Sequence, residues 1–308
     1  MEDFPRTQLE FERRFATEAD CRQYLFALRW PEGFACPRCQ GRQAWPTARG
    51  LWCCRHCQHH ASVTAGTIFQ DTRLPLGLWF RAIWQITSQK NGASALTVQR
   101  TLGLGSYKTA WTWLHKLRRA MLRPGRDRLA GRVEVDETHL GAPEAGVVGR
   151  LTHDKALVLV AAQVDGRRIG RIRLGRVMDL SRASLHGFIE QTIEPGSTVI
   201  TDGLSVYAGL KGYTHDPIVV AGSGQTASEL LPRVHRVVSL LKRWLSGTLH
   251  GGVQSRYLDY YLDEFTFRFN RRTSASRGKL FYRLVQQAVQ IPPVPYRTIV
   301  APPLVGGT

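Results

Sequence analysis

Two aspartates at the ends of apolar runs set the first chemical possibility. Arg132-Val-Glu-Val-Asp136 alternates like a strand, which carries Glu134 and Asp136 to one face at the strand's end. Ser197-Thr-Val-Ile-Thr-Asp202-Gly203 also closes on an acid followed by a turn glycine, the arrangement in which a carboxylate leaves an apolar sheet at its edge. Two acids on two strand ends have the shape of a divalent-metal site. A helix read from near Pro232 adds His235, Ser239, Lys242 and Ser246 at i, i+4, i+7 and i+11, one polar stripe beside Val237, Val238, Leu241 and Leu245. At ~1.5 Å rise per residue, His235 and Lys242 point the same way about 10 Å apart along the axis. An imidazole there can meet a metal while the ammonium holds a neighbouring phosphate. Helix geometry alone equally allows a solvent-facing stripe without catalytic meaning.

Thiolates supply the second chemistry. Cys36-Pro-Arg-Cys39 and Cys54-Arg-His-Cys57 are two Cys-x-x-Cys knuckles, with fifteen positions from Cys39 to Cys54. Four thiolates suit the tetrahedral preference of Zn2+, and a two-residue gap lets one tight turn present both sulfurs to one ion. A closed four-thiolate site has no open position, so one structural zinc is expected. Cys53 adjoins the second knuckle and competes with Cys54, whereas Cys21 sits in an apolar helical pattern and reads as core.

These groups need elements to hold them. A short helix over Ala93 to Leu102, a turn at Gly103-Leu104-Gly105 and a second helix to about Leu122 read as a helix-turn-helix. Ala110, Trp113, Leu114, Leu117 and Met121 form its packing face, and Lys108, Thr112, His115, Lys116, Arg118 and Arg119 the other. Those side chains suit phosphates and base edges, although an ordinary helical hairpin with a solvated basic face has the same pattern. Ala156 to Val164 and Arg168 to Leu174 read as strands and Arg182 to Ile193 as a helix, so the second half is α/β, a mixed sheet flanked by helices. The aromatic helix Tyr257 to Phe269 reads as core. Its exit, Asn270-Arg-Arg272, reads either as a DNA contact or as a solvated end, and His139, His153 and His250 receive no role.

The expected domains are a zinc ribbon with an N-terminal helix (1–70), a helix-turn-helix module (71–127), a catalytic domain (128–290) and an irregular tail (291–308). The chain of 308 residues is long enough for this. Its 42 Lys and Arg against 24 Asp and Glu give a formal charge of +18, which favours a polyanionic partner, nucleic acid first. The longest apolar stretch falls short of the ~20 residues of a spanning helix, and no signal-peptide pattern is present. A cytoplasmic, nucleoid-associated protein with reduced cysteines follows as the expectation.

Cys36-Pro-Arg-Cys39, Ser62-Val-Thr-Ala-Gly-Thr67, Leu102-Gly-Leu, Val135-Asp-Glu-Thr138, Thr201-Asp-Gly203, Leu241-Lys-Arg-Trp244, Gly247-Thr-Leu-His-Gly251 and Tyr261-Leu-Asp-Glu-Phe-Thr-Phe-Arg-Phe-Asn-Arg271 together resemble bacterial insertion-sequence transposases that join a zinc ribbon to a DDE-type domain. The resemblance runs from about Phe11 to Leu284. It implies an RNase H-like catalytic fold with Asp136 and Asp202 as metal ligands and Lys242 as the phosphate-contacting lysine seven residues past the third ligand. The chain departs from the pattern there: position 235 is His where DDE enzymes have Glu. His235 is read as the third ligand, with Glu229 and Glu264 as alternative acids.

The implied activity is metal-dependent cleavage and strand transfer at insertion-sequence ends in double-stranded DNA, with two Mg2+ or Mn2+ ions and, by analogy, a homodimer that pairs two ends. A nuclease of the same fold that cuts without joining, and a zinc-ribbon regulator that binds without cutting, are the rival readings.

Overall fold

A computed structural model describes residues 2–123, 125–141, 155–219, 224–249 and 253–301. Two compact units form, Met1–Arg123 with Thr273–Pro303, and Pro124–Arg272. Among the described residues no helix is long and apolar enough to cross a membrane.

In the first unit, helices α1 (Gln8–Arg14) and α2 (Glu18–Arg29) start on threonine caps. Thr17 and Asp20 satisfy each other's backbone N–H groups in a capping box. A small antiparallel sheet follows, β1 (Ala44–Pro46), β2 (Trp52–Cys54) and β3 (His60–Ala61), in the order β1-β2-β3. Helix α3 (Leu76–Ser88) buries Trp79, Phe80, Ile83 and Ile86. Helix α4 (Ala95–Leu102) starts on Ser94 and stops at Gly103, whose φ of 63° is the left-handed conformation that glycine tolerates. Helix α5 (Tyr107–Ala120) restarts on Ser106.

The domain boundaries differ from those expected. The ribbon and helical module share one unit, and residues 273–290, assigned by sequence to the catalytic domain, belong with them. The cause is aromatic packing. Phe281 sets its ring 5.4 Å from Phe11, 5.6 Å from Phe80 and 5.8 Å from Trp84. Gly278 lets the segment at Pro5 pack closely on the helix that carries Phe281, because a Cβ there would collide with the Pro5 carbonyl oxygen. The tail is not wholly irregular: Tyr296–Val300 is a short helix with Ile299 buried. Residues 302–308 lie outside the described residues, as do His153, His250 and Gly251.

The second unit is the mixed α/β layer structure expected of an RNase H-like domain. Strands β4 (Arg132–Leu140), β5 (Ala156–Asp165), β6 (Arg168–Val177), β7 (Thr198–Asp202) and β8 (Thr214–Ile218) lie in the order β6-β5-β4-β7-β8. β4 pairs antiparallel with β5 and parallel with β7, and β7 parallel with β8. Helix α6 (Arg182–Thr192) covers one face, its Leu185, Phe188 and Ile189 packed with Val133, Val135, Leu159, Ala161 and Val199. After α7 (Ala227–Leu230), helices α8 (Pro232–Leu249) and α9 (Leu258–Phe269) pack on the sheet, α8 against β4 and β5 and α9 against β6. β5 is therefore apolar on both sides, which explains its unbroken run from Ala156 to Ala162. The exit of α9 is tied to β6. Asn270 bonds the Ile172 backbone through both amide atoms, and Arg272 bonds the Gly170 and Ile169 carbonyls while stacking on Phe269.

Helix α10 (Arg277–Ala288) and α11 (Tyr296–Val300) complete the first unit.

Candidate active site

The central strand carries the site. Register pairs Arg132 with Thr198 and Glu134 with Ile200, so continuing the same offset sets Asp136 level with Asp202 on neighbouring parallel strands. Hydrogen bonding between β4 and β7 stops at Glu134, whereas pairing of β4 with β5 runs on to Leu140. The end of β7 thus leaves a gap beside β4, and both aspartates border it.

One carboxylate atom each from Asp136, Glu137 and Asp202 lies within 4.8 Å of the others. Asp136 also accepts the Glu137 N–H at 2.9 Å, and Asp202 the Leu204 N–H at 3.3 Å. Octahedral coordination at ~2.1 Å sets opposite ligand oxygens about 4.2 Å apart, so these atoms are spaced to close on a divalent ion.

Helix α8 delivers the nitrogen. Glu134, 2% exposed, accepts hydrogen bonds from the Arg233 N–H at 2.8 Å, the Val234 N–H at 3.0 Å and the Arg233 guanidinium at 2.8 Å. A carboxylate on two open N–H groups of a helix N-terminus is held by charge and hydrogen bonding together. Glu134 therefore pins the first turn of α8 to β4, two residues before Asp136. The next turn places His235 Nε2 3.5 Å from Asp136 Oδ2. That nitrogen is buried, facing the Asp136 carboxylate. Burial lowers the His235 pKa; Glu134 opposes this and Lys242 reinforces it. Lys242 is exposed further along the same helix.

The structure thus brings Asp202 and Glu137 together with Asp136, and sets His235 beside Asp136. Sequence reasoning missed Glu137, because strand alternation sends it to the face opposite Asp136. There its Oε2 accepts the hydroxyl of fully buried Tyr207 at 3.1 Å. Burial first, and Glu137 second, raise the Tyr207 pKa, so the phenol stays a donor. The other acids are engaged elsewhere. Glu229 closes the capping box of α7 with Thr226, and Glu264 is buried on α9.

The cysteine site fits zinc. Sulfurs of Cys36, Cys39, Cys54 and Cys57 all lie within 4.8 Å, with Cys36 to Cys57 and Cys39 to Cys54 each 3.6 Å. Tetrahedral bonds of ~2.3 Å put sulfurs about 3.8 Å apart. The knuckles fold alike: the Gln40 N–H donates to the Cys36 carbonyl and the Gln58 N–H to the Cys54 carbonyl, both glutamines in the left-handed region. Cys53 does not compete, since its thiol turns toward Gln58 Oε1 at 3.5 Å. Cys21 is core as expected, its thiol pushed up to about 12 by burial.

On α5 the expected basic face needs correction. Arg118 is 2% exposed and His115 fully buried, so neither presents to a ligand. The Trp111 ring lies 4.0 Å from that of His115. Lys108 and Arg119 are exposed and Lys116 half-buried. Lys108 Nζ lies 4.0 Å over the Tyr296 ring.

Residues 128–270 match the family of the ISXO2-like transposase domain, and residues 16–60 match the transposase zinc-ribbon domain. The first match spans Asp136, Glu137, Asp202, His235 and Lys242; the second spans the four zinc-site cysteines. The chain is also similar to a protein described as "Uncharacterized protein in transposable element ISH50" from Halobacterium salinarum. The two are 25% identical over 283 residues, covering 83% of this chain and 92% of that protein.

Proposed function

We propose, from the premise that this chain couples a transposase zinc ribbon to an ISXO2-like DDE-type transposase domain, that it binds insertion-sequence ends, cuts a strand there and joins it to target DNA. The observation that supports this reading is the convergence of Asp136 of β4 with Asp202 of β7, with His235 of α8 3.5 Å from Asp136.

Asp136 and Asp202 would hold the divalent ions, Mg2+ or Mn2+, and His235 would offer its Nε2 lone pair. Bound in a pair, such ions supply Lewis-acid stabilisation to the attacking and leaving oxygens of an in-line displacement. The chain's own part is positional. Glu134 holds α8, α8 holds His235 beside Asp136, and Lys242 binds a phosphate oxygen of the strand being cut. No side chain need bond covalently to DNA, since water attacks in the first step and a DNA 3' hydroxyl in the second. Helices α4 and α5, acting as a helix-turn-helix, would select the end together with the ribbon through Lys108, Lys116 and Arg119. Pairing two ends calls for two such sites, hence a homodimer on DNA.

The test is direct. Purified protein with Mg2+ or Mn2+ and a labelled element end should nick it and yield joined products, and Asp136→Ala and Asp202→Ala should abolish both. Cleavage by those variants at the parent rate rejects the assignment, and nicking without joined products marks a nuclease instead.

A further inference from the structure

We propose that Glu137 supplies the third carboxylate of the metal centre, in place of the glutamate that His235 displaces, and that Tyr207 positions it. This rests on the metal-centre reading above and adds a ligand to it.

The argument begins with charge. Three carboxylates give a DDE site a charge of −3 against its cations. With a neutral imidazole at 235, Asp136 and Asp202 alone give −2, and hard cations such as Mg2+ favour oxygen donors over nitrogen. Among the described residues, the acid that converges with both aspartates is Glu137.

The strand gap explains how it reaches. On an ordinary paired strand, Asp136 and Glu137 would be kept apart by the sheet itself. Here pairing of β4 with β7 ends at Glu134. Beyond it the sheet does not close over that edge of β4, and side chains from both faces can bend into the same space. Asp136 comes from the face that carries α8 and His235. Glu137 comes from the face that carries Tyr207, whose hydroxyl holds one of its oxygens at 3.1 Å. The bond from Tyr207 orients a carboxylate that has an oxygen within 4.8 Å of ligand atoms of Asp136 and Asp202. A buried phenol in that role is the outer partner that ligating carboxylates commonly have.

The experiment measures Mn2+ binding to the full-length, zinc-loaded protein by calorimetry and by electron paramagnetic resonance, without DNA. Circular dichroism melts confirm folding of each variant. Glu137→Gln, nearly isosteric, should weaken Mn2+ binding by at least about tenfold, and Tyr207→Phe by about tenfold. The decisive variant is the double one: Glu137→Gln with His235→Glu restores three carboxylates and should recover Mn2+ affinity. Undiminished affinity in Glu137→Gln overturns the proposal, as does failure of His235→Glu to rescue it. Should Asp136→Ala and Asp202→Ala also bind Mn2+ like the parent, the metal-centre reading itself falls, which separates the two claims.

Discussion

A histidine where a DDE enzyme has glutamate changes what pH does to the proposed centre. Burial lowers the His235 pKa below its ordinary value, Glu134 pulls the other way, and Lys242 adds to the lowering. The neutral ring, the only form with a lone pair on Nε2, is therefore the form present at neutral pH. As pH falls through the lowered pKa the ring takes a proton and adds positive charge beside Asp136. Cleavage should accordingly hold down to about 6.5, the value of a free imidazole, and decline only below it. A pH–rate profile checks this: His235→Ala should lose that limb, and a decline centred above 6.5 would contradict the ligand role. Asp136, Asp202 and His235 were each readable in the sequence as candidates. Glu137 was not, because period-two alternation assumes a sheet paired on both sides.

At the level of elements, the site depends on how α8 meets β4. Glu134 is buried, ion-paired to Arg233 at 2.8 Å and bonded to two N–H groups of the helix's first turn. Glu134→Gln leaves Arg233 and that turn without their anion, at a cost on the order of 3 kcal/mol by chemical denaturation. It should also lower cleavage by shifting His235, although Glu134 is not one of the clustered acids Asp136, Glu137 and Asp202. A stable variant with normal cleavage would show that α8 is held by other contacts. The ribbon offers a second elemental test. Chelation of zinc should unfold β1 to β3 and expose Cys36, Cys39, Cys53, Cys54 and Cys57 to alkylation. Cys21, with its pKa near 12 and no exposure, should stay unmodified until the whole unit unfolds. Mass spectrometry counts the labels, and early labelling of Cys21 would mean that the ribbon and α2 open together. The turn at Gly103 and the two knuckles were readable locally, whereas the helix starts on Thr17, Ser94 and Ser106 came from the structure.

For the whole molecule the governing quantity is a formal charge of +18 facing a polyanion. Binding of duplex DNA should weaken steeply with salt, and each lost phosphate contact should reduce the slope of log K against log salt by about 0.9. Lys108→Ala and Arg119→Ala, on the exposed side of α5, should each do this. Arg118→Ala should instead lower stability and leave the slope nearly unchanged, since its side chain is buried. An equal loss of slope for Arg118 would mean that α5 rearranges on DNA. Filter-binding or fluorescence titrations across a salt series measure all three.

The sequence alone determined what depends on neighbours along the chain: the paired knuckles, the helix and strand periods, the polar stripe carrying His235 and Lys242, and the order of motifs that marks a ribbon joined to a DDE-type domain. Covalent spacing imposes these before any folding. Tertiary structure decided what depends on which surface covers which. It moved 273–303 into the first unit because Phe281 completes an aromatic cluster begun at Phe11. It also buried Arg118, and it ended the β4–β7 pairing early enough for acids from both faces to meet. Burial and strand pairing are set by partners far away in the chain, and no local pattern of residues records who those partners are.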